Sequence, residues 1–139
     1  MPMPQQYQIA QQAFDALIED ARDALGLATR NQTYTVIEAV LVTFRRRLGP
    51  DEVLIFADGL PALLRAIFTA NWSADEHRPQ FASTATLEDE VAGLRRHHNF
   101  APRGSIAAVA GAVRRHVDAD RFDRALARLS PEAREFWRQ

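Results

Sequence analysis

The run Val36-Ile37-Glu38-Ala39-Val40-Leu41-Val42-Thr43-Phe44-Arg45-Arg46-Arg47-Leu48-Gly49-Pro50 decides the fold. Val36, Ile37, Val40, Leu41, Phe44 and Leu48 recur at steps of three and four, which places them on one stripe of an α-helix. Three arginines close the run, where cations complement the exposed carbonyls of a helix C-terminus. Gly49 stops it, and Pro50 with Asp51 and Glu52 reads as the first turn of another helix. Two more stripes have the same spacing: Ala10, Phe14, Leu17, Ile18, Ala21 and Leu25, then Ile106, Val109, Ala110, Val113 and Val117. No stretch alternates convincingly with period two, so the chain reads as all-α.

Start and stop signals divide the 139 residues into about eight helices. The first runs from Gln6 to Leu25 and ends at Gly26. The second starts after the polar turn Asn31–Thr33. A short third stops at Asp58-Gly59, and Pro61 opens a fourth that reaches Trp72. A polar connection covers 73–85. Thr86 then caps a fifth helix, with Glu88, Asp89 and Glu90 in its first turn and an end near His98-Asn99. Pro102 leads into the sixth, Asp118 caps the seventh, and Ser130-Pro131-Glu132 starts the eighth.

A shift of 69 residues brings Ile37, Ala39, Val40, Arg45, Arg46, Asp51, Leu60 and Arg65 onto Ile106, Ala108, Val109, Arg114, Arg115, Asp120, Leu129 and Arg134. Phe44, Leu48, Val53 and Phe68 fall on Val113, Val117, Phe122 and Trp137. After a four-residue adjustment, Phe14, Ile18 and Leu27 fall on Leu87, Val91 and Phe100. The expected architecture is therefore two tandem, similar four-helix halves, about 6–72 and 86–139. Units that small are marginal alone, so the halves are expected to pack as one compact, bundle-like domain spanning 1–139.

Leu60-Pro61-Ala62-Leu63-Leu64-Arg65-Ala66-Ile67-Phe68 with Trp72, preceded by Arg45-Arg46-Arg47-Leu48-Gly49-Pro50-Asp51-Glu52-Val53, resembles the bacterial family called domain of unknown function 2267. The resemblance runs from about Phe14 to Trp137. It is weaker in the second half, where Leu129-Ser130-Pro131 replaces Leu60-Pro61-Ala62 and the leucines become Glu132 and Ala133. It implies a tandem helical fold and a bacterial origin, and it supplies no catalytic residues.

Composition narrows the function by exclusion. The sequence has no cysteine, so disulfides, thiolate nucleophiles and cysteine–metal sites are out. No apolar run approaches the roughly 20 residues of a membrane-spanning helix. The start, Met1-Pro2-Met3-Pro4-Gln5-Gln6, lacks the basic and apolar regions of a secretion signal, so a cytoplasmic location is expected. All 17 basic residues are arginine, yet the formal net charge is −1, which disfavours an overall grip on nucleic acid.

No catalytic constellation emerges, and neither enzyme activity nor a cofactor is expected. Ser73, Ser83, Ser105 and Ser130 sit in loops or caps, without a nucleophile-elbow motif. The histidines lack metal-ligand spacing, and no metal is expected. A weak site built from His97 or His98 with His116 is the residual alternative, and His77 lies in the connection. Asp58 and Glu38 are the carboxylates least explained by helix starts, and either could be buried opposite an arginine. The arginines Arg45, Arg46, Arg47, Arg95, Arg96, Arg114 and Arg115 end helices; if two such ends meet, they form an anion-binding candidate. Leu41, Leu54, Ile55 and Leu63 have Ala110, Asp123, Arg124 and Glu132 as counterparts, an extra apolar face that is covered by the connection through Phe81 and the second half or else marks a candidate interaction surface. The leading expectation is a non-enzymatic interaction or regulatory module, binding itself as a homodimer or another protein. A small-ligand or metal-binding protein with an Arg/His-lined cleft, or an arginine-mediated nucleic-acid binder, is the alternative.

Overall fold

Local signals set the helix ends in the computed structural model, which describes residues 1–94 and 101–138. Nine helices occupy the described residues: α1 Gln5–Gln8, α2 Ala10–Leu25, α3 Arg30–Arg45, α4 Pro50–Asp58, α5 Ala62–Thr69, α6 Thr84–Gly93, α7 Ser105–His116, α8 Ala119–Ala127 and α9 Pro131–Phe136. Gly26 ends α2 in the left-handed region, where glycine has no Cβ to clash. Asp118 and Ser130 cap α8 and α9 through Arg121 N–H and Ala133 N–H.

Five boundaries differ from the sequence reading, two of them ends: α3 stops at Arg45 and α5 at Thr69, each three residues before the expected Leu48 and Trp72. The first expected helix is divided at Ile9, which separates α1 from α2 and raises the number from eight. Thr29 caps α3, before the expected start, because Gln32 completes a capping box with it. Ser83, not Thr86, caps α6: Thr86 N–H donates to Ser83 Oγ. That shift moves Glu88, Asp89 and Glu90 out of the first turn and frees them for other partners. The expected end of this helix at His98-Asn99 lies outside the described residues.

The buried apolar side chains make one contiguous core drawn from α2 through α9, with Trp137 beyond it. Its centre is aromatic. Phe44, Phe56, Phe68, Phe122, Phe136 and Trp137 surround one another, with the Trp137 ring stacked on Phe56 at 5.3 Å. Such pairs add about 0.5–1.5 kcal/mol beyond the area they bury. Helix α3 threads the middle, packing against α2, α5, α6 and α7. A helix enclosed on that many sides is apolar well beyond one stripe. This corrects the placement of Leu41: it is 0% exposed, packed into the core, and belongs to no surface.

The 69-residue shift also aligns structural features. Helices α4 and α8 start at Pro50 and Ala119, and α5 and α9 at Ala62 and Pro131. Ile37/Ile106, Val40/Val109, Phe44/Val113, Val53/Phe122, Leu64/Ala133 and Phe68/Trp137 are buried in both members of each pair. Counterpart helices meet directly, α3 on α7 and α4 on α8. The α4–α8 approach is close: a Cβ on Gly59 would stand 2.8 Å from Ala125 Cβ, so only glycine fits there without a shift.

Candidate functional site

The arginine helix ends turn inward. Arg45 is 4% exposed and donates from Nη1 to Phe68 O and Ala70 O, both at 3.0 Å. Its Nε and Nη2 hold the Glu76 carboxylate at 3.3 and 2.9 Å. Arg47 binds Glu90 through both terminal nitrogens and also donates to Thr43 O. Arg46 reaches the same Glu90 at 2.9 Å. Arg115 grips Asp20 from Nε and Nη2 at 2.7 and 2.9 Å, and a ring nitrogen of His116 lies 2.9 Å from the same carboxylate. The Arg115 hydrogen bonds hold the Asp20 carboxyl below its ordinary value, with help from His116 and against the desolvation that raises it. Asp20 in turn raises the Arg115 guanidinium above its ordinary value.

These pairs correct the anion-site expectation for Arg45, Arg47 and Arg115. A buried cation must be paired and hydrogen-bonded, and Arg45 and Arg47 satisfy that demand with internal acceptors, while the more exposed Arg115 spends two of its donors on Asp20. Arg46 shares Glu90 with Arg47. Arg95 and Arg96 lie outside the described residues, as do His97 and His98. Among the described residues, no three His, Asp or Glu side chains converge as a metal site. Of the carboxylates left unassigned by sequence, Glu38 accepts from the Tyr34 hydroxyl at 3.0 Å. Asp58 is exposed, so it is not buried opposite an arginine.

Arg114 differs from the others. Its Nε donates to Trp137 O at 2.7 Å, the counterpart of the Arg45 bond to Phe68 O. Its guanidinium carbon lies 5.1 Å from the Phe122 ring centre. Asp123 takes Nη1 at 3.0 Å, on a side chain that is 62% exposed. Beside it, Arg114, Asp123, Leu126, Ala127, Arg134 and Arg138 line an open pocket of about 510 Å³. Arg65 and Arg134 are a second matched pair: each donates to the carbonyl before its helix, Leu60 O at 3.1 Å and Leu129 O at 2.6 Å. The sequence carried both pairs as identities under the 69-residue shift, but not their acceptors.

The expected apolar face is only partly a surface. Leu54 on α4 is 56% exposed and Leu63 on α5 is 37% exposed. Ile55 is half-buried against the core. A more concave apolar site, not expected from the sequence, opens between α6, α7 and α9. Phe81, Leu87, Ile106 and Phe136 form its floor, and its volume is about 370 Å³. Glu88, Glu132, Glu135 and Arg138 also line it; Glu88 accepts Gly104 N–H at 2.9 Å, Glu135 pairs with Arg138 at 3.2 Å, and Arg138 is shared with the arginine pocket. The only sequence signal was the replacement of Leu63 by Glu132 at the matched position.

No helix among the described residues is long and apolar enough to cross a membrane. No curated protein matches the chain. A family model described as Uncharacterized conserved protein (DUF2267) matches residues 14–136, nearly the whole length, and the chain belongs to that family.

Proposed function

We propose that this protein is a non-enzymatic module of the bacterial cytoplasm that binds a partner protein through the cleft between α6, α7 and α9. The occupant is a short apolar segment flanked by lysine or arginine. One observation carries the reading: Phe81, Leu87, Ile106 and Phe136 line one pocket together with Glu132, which has no ion pair among the described residues, and with Glu135, whose neighbour there is Arg138. Apolar contact supplies affinity in such a groove, and the carboxylates select a cationic flank. The nucleic-acid alternative loses support because Arg45, Arg47 and Arg115 already hold internal carboxylates.

The test uses the full chain and a peptide of alternating leucine and lysine. Backbone resonances of Leu87, Ile106 and Phe136 are expected to shift. Glu132→Lys combined with Glu135→Lys is expected to weaken binding about tenfold, the loss of one or two screened charge contacts. Equal affinity in the double variant, or shifts spread over the opposite face, sinks the reading.

Self-association is the second reading, supported by the exposure of Leu54 and Leu63. Sedimentation of the protein and its Leu54→Asp variant decides it: a dimer lost in the folded variant supports it, and a monomer at high concentration removes it.

A further inference from the structure

The two halves treat a matched arginine differently. Arg45, at the end of α3, is closed by the Glu76 carboxylate, which the 73–83 connection brings back across it. Arg114 holds the same place in α7 and makes the same carbonyl contact, with Trp137 O in place of Phe68 O. Among the described residues no returning segment supplies it with a two-pronged carboxylate. Asp123 is the one carboxylate among the described residues that reaches it, through Nη1, and among those residues Arg114 Nη2 makes no hydrogen bond. Arg134 stands on the same pocket wall, with Nη1 on Leu129 O and the rest of its planar fork unbonded among the described residues. The pocket, at about 510 Å³, has room for a small acid.

We propose that this pocket, between α7, α8 and α9, is a carboxylate-binding site in which Arg114 and Arg134 take the role that Arg45 plays toward Glu76. The internal pair shows what the arginine at this position accepts. A planar carboxylate matches a guanidinium edge with two parallel hydrogen bonds, and two arginines on one wall add charge to geometry. Asp123 is a competing internal ligand. Its side chain is 62% exposed, so it can leave Nη1 for water when an acid arrives. In the first half the matched position is Leu54, which cannot compete. The acid is either a free dicarboxylate or a glutamate side chain of another protein. The site lies apart from the apolar floor of the α6–α7–α9 cleft, so it stands or falls independently of the partner-binding reading.

The experiment titrates isotopically labelled full-length protein with malonate, with acetyl-Glu-Glu-Glu-amide, and with sulfate, which matches malonate in charge but not in shape. The expected result is a saturable shift of the Arg114 Nε–H and Trp137 amide signals with at least one of the two carboxylates. Saturation by malonate assigns a small acid, and saturation by the peptide alone assigns a protein side chain. Asp123→Asn is expected to tighten binding several-fold, an outcome that misfolding does not produce. Arg134→Gln is expected to weaken it about tenfold, in line with one charge-assisted hydrogen bond. The proposal is overturned if neither carboxylate saturates these signals below about 10 mM, a floor of about 2.7 kcal/mol for any specific site. It is also overturned if sulfate binds as tightly as malonate, or if neither variant changes the affinity.

Discussion

The first half of the molecule is closed and the second is open, although both use one helical plan. Helix α2 runs over 16 residues and packs along α5, whereas its counterpart α6 runs over 10 and, among the described residues, makes no comparable contact with α9. Leu63 lies beside Phe14 in the tight α2–α5 junction, but Glu132 borders an open cleft. Arg45 is sealed by Glu76, but Arg114 faces an open pocket. The difference teaches where to look for function. Groups satisfied internally in one half reveal the chemistry left unsatisfied in the other.

The largest test of this contrast removes the two arginines. Arg45→Met leaves Glu76 and two carbonyls without their donor in a buried setting. A loss of about 3–5 kcal/mol in urea unfolding is expected, the cost of breaking a buried pair. Arg114→Met leaves Trp137 O and the exposed Asp123, and a loss of about 1–2 kcal/mol is expected. Equal losses would show that Arg114 is as fully committed to the fold as Arg45, and the closed–open distinction would fail.

The next test probes the seam between halves. Gly59→Ala drives a methyl toward Ala125, and overpacking of this kind costs about 1–3 kcal/mol. Adding Ala125→Gly to the same chain is expected to recover part of that loss. The counterpart of Gly59 under the shift is the exposed Arg128, and Arg128→Ala is expected to change stability by less than about 0.5 kcal/mol. Thermal unfolding of the three variants beside the unaltered protein checks the order; no rescue by Ala125→Gly would mean the helices can already part there.

Helix order and most caps were legible in the sequence because their signals are local. Asp118, Ser130 and Gly26 act within a turn of where they stand. Leu41 was left between core and surface because periodicity reports one helix face and not how many neighbours surround the helix; it is fully buried. The arginines illustrate the same limit. Their position at helix ends was visible, but Glu76 and Glu90 lie 31 and 43 residues from their partners, in segments whose return path no local pattern encodes. The cleft was missed for the opposite reason. Glu132 is a natural first-turn residue of α9, and that local role conceals its place at the rim of an apolar groove.

A smaller effect than that of the seam concerns the polar tie from α2 in the first half to α7 in the second. Asp20 accepts both Arg115 bonds, which lower its carboxyl below the ordinary value near 3.9. A carboxylate lowered in the folded state stabilises the fold above its unfolded value, and that contribution fades as pH falls through the folded one. Arg115 is raised, so its share is complete below its unfolded value and disappears only at strongly alkaline pH. Across neutral pH the pair is therefore fully formed. Both side chains reach solvent, which keeps its worth to about 1 kcal/mol or less. Asp20→Asn is expected to lower stability by that amount at pH 7, and the gap from the unaltered protein is expected to narrow as pH falls below the ordinary carboxylate value and to vanish once the lowered Asp20 carboxyl is itself protonated. A gap that does not narrow at all as pH falls through the acid range would mean the asparagine disturbs packing between α2 and α7. The halves would then be joined there by shape and not by charge.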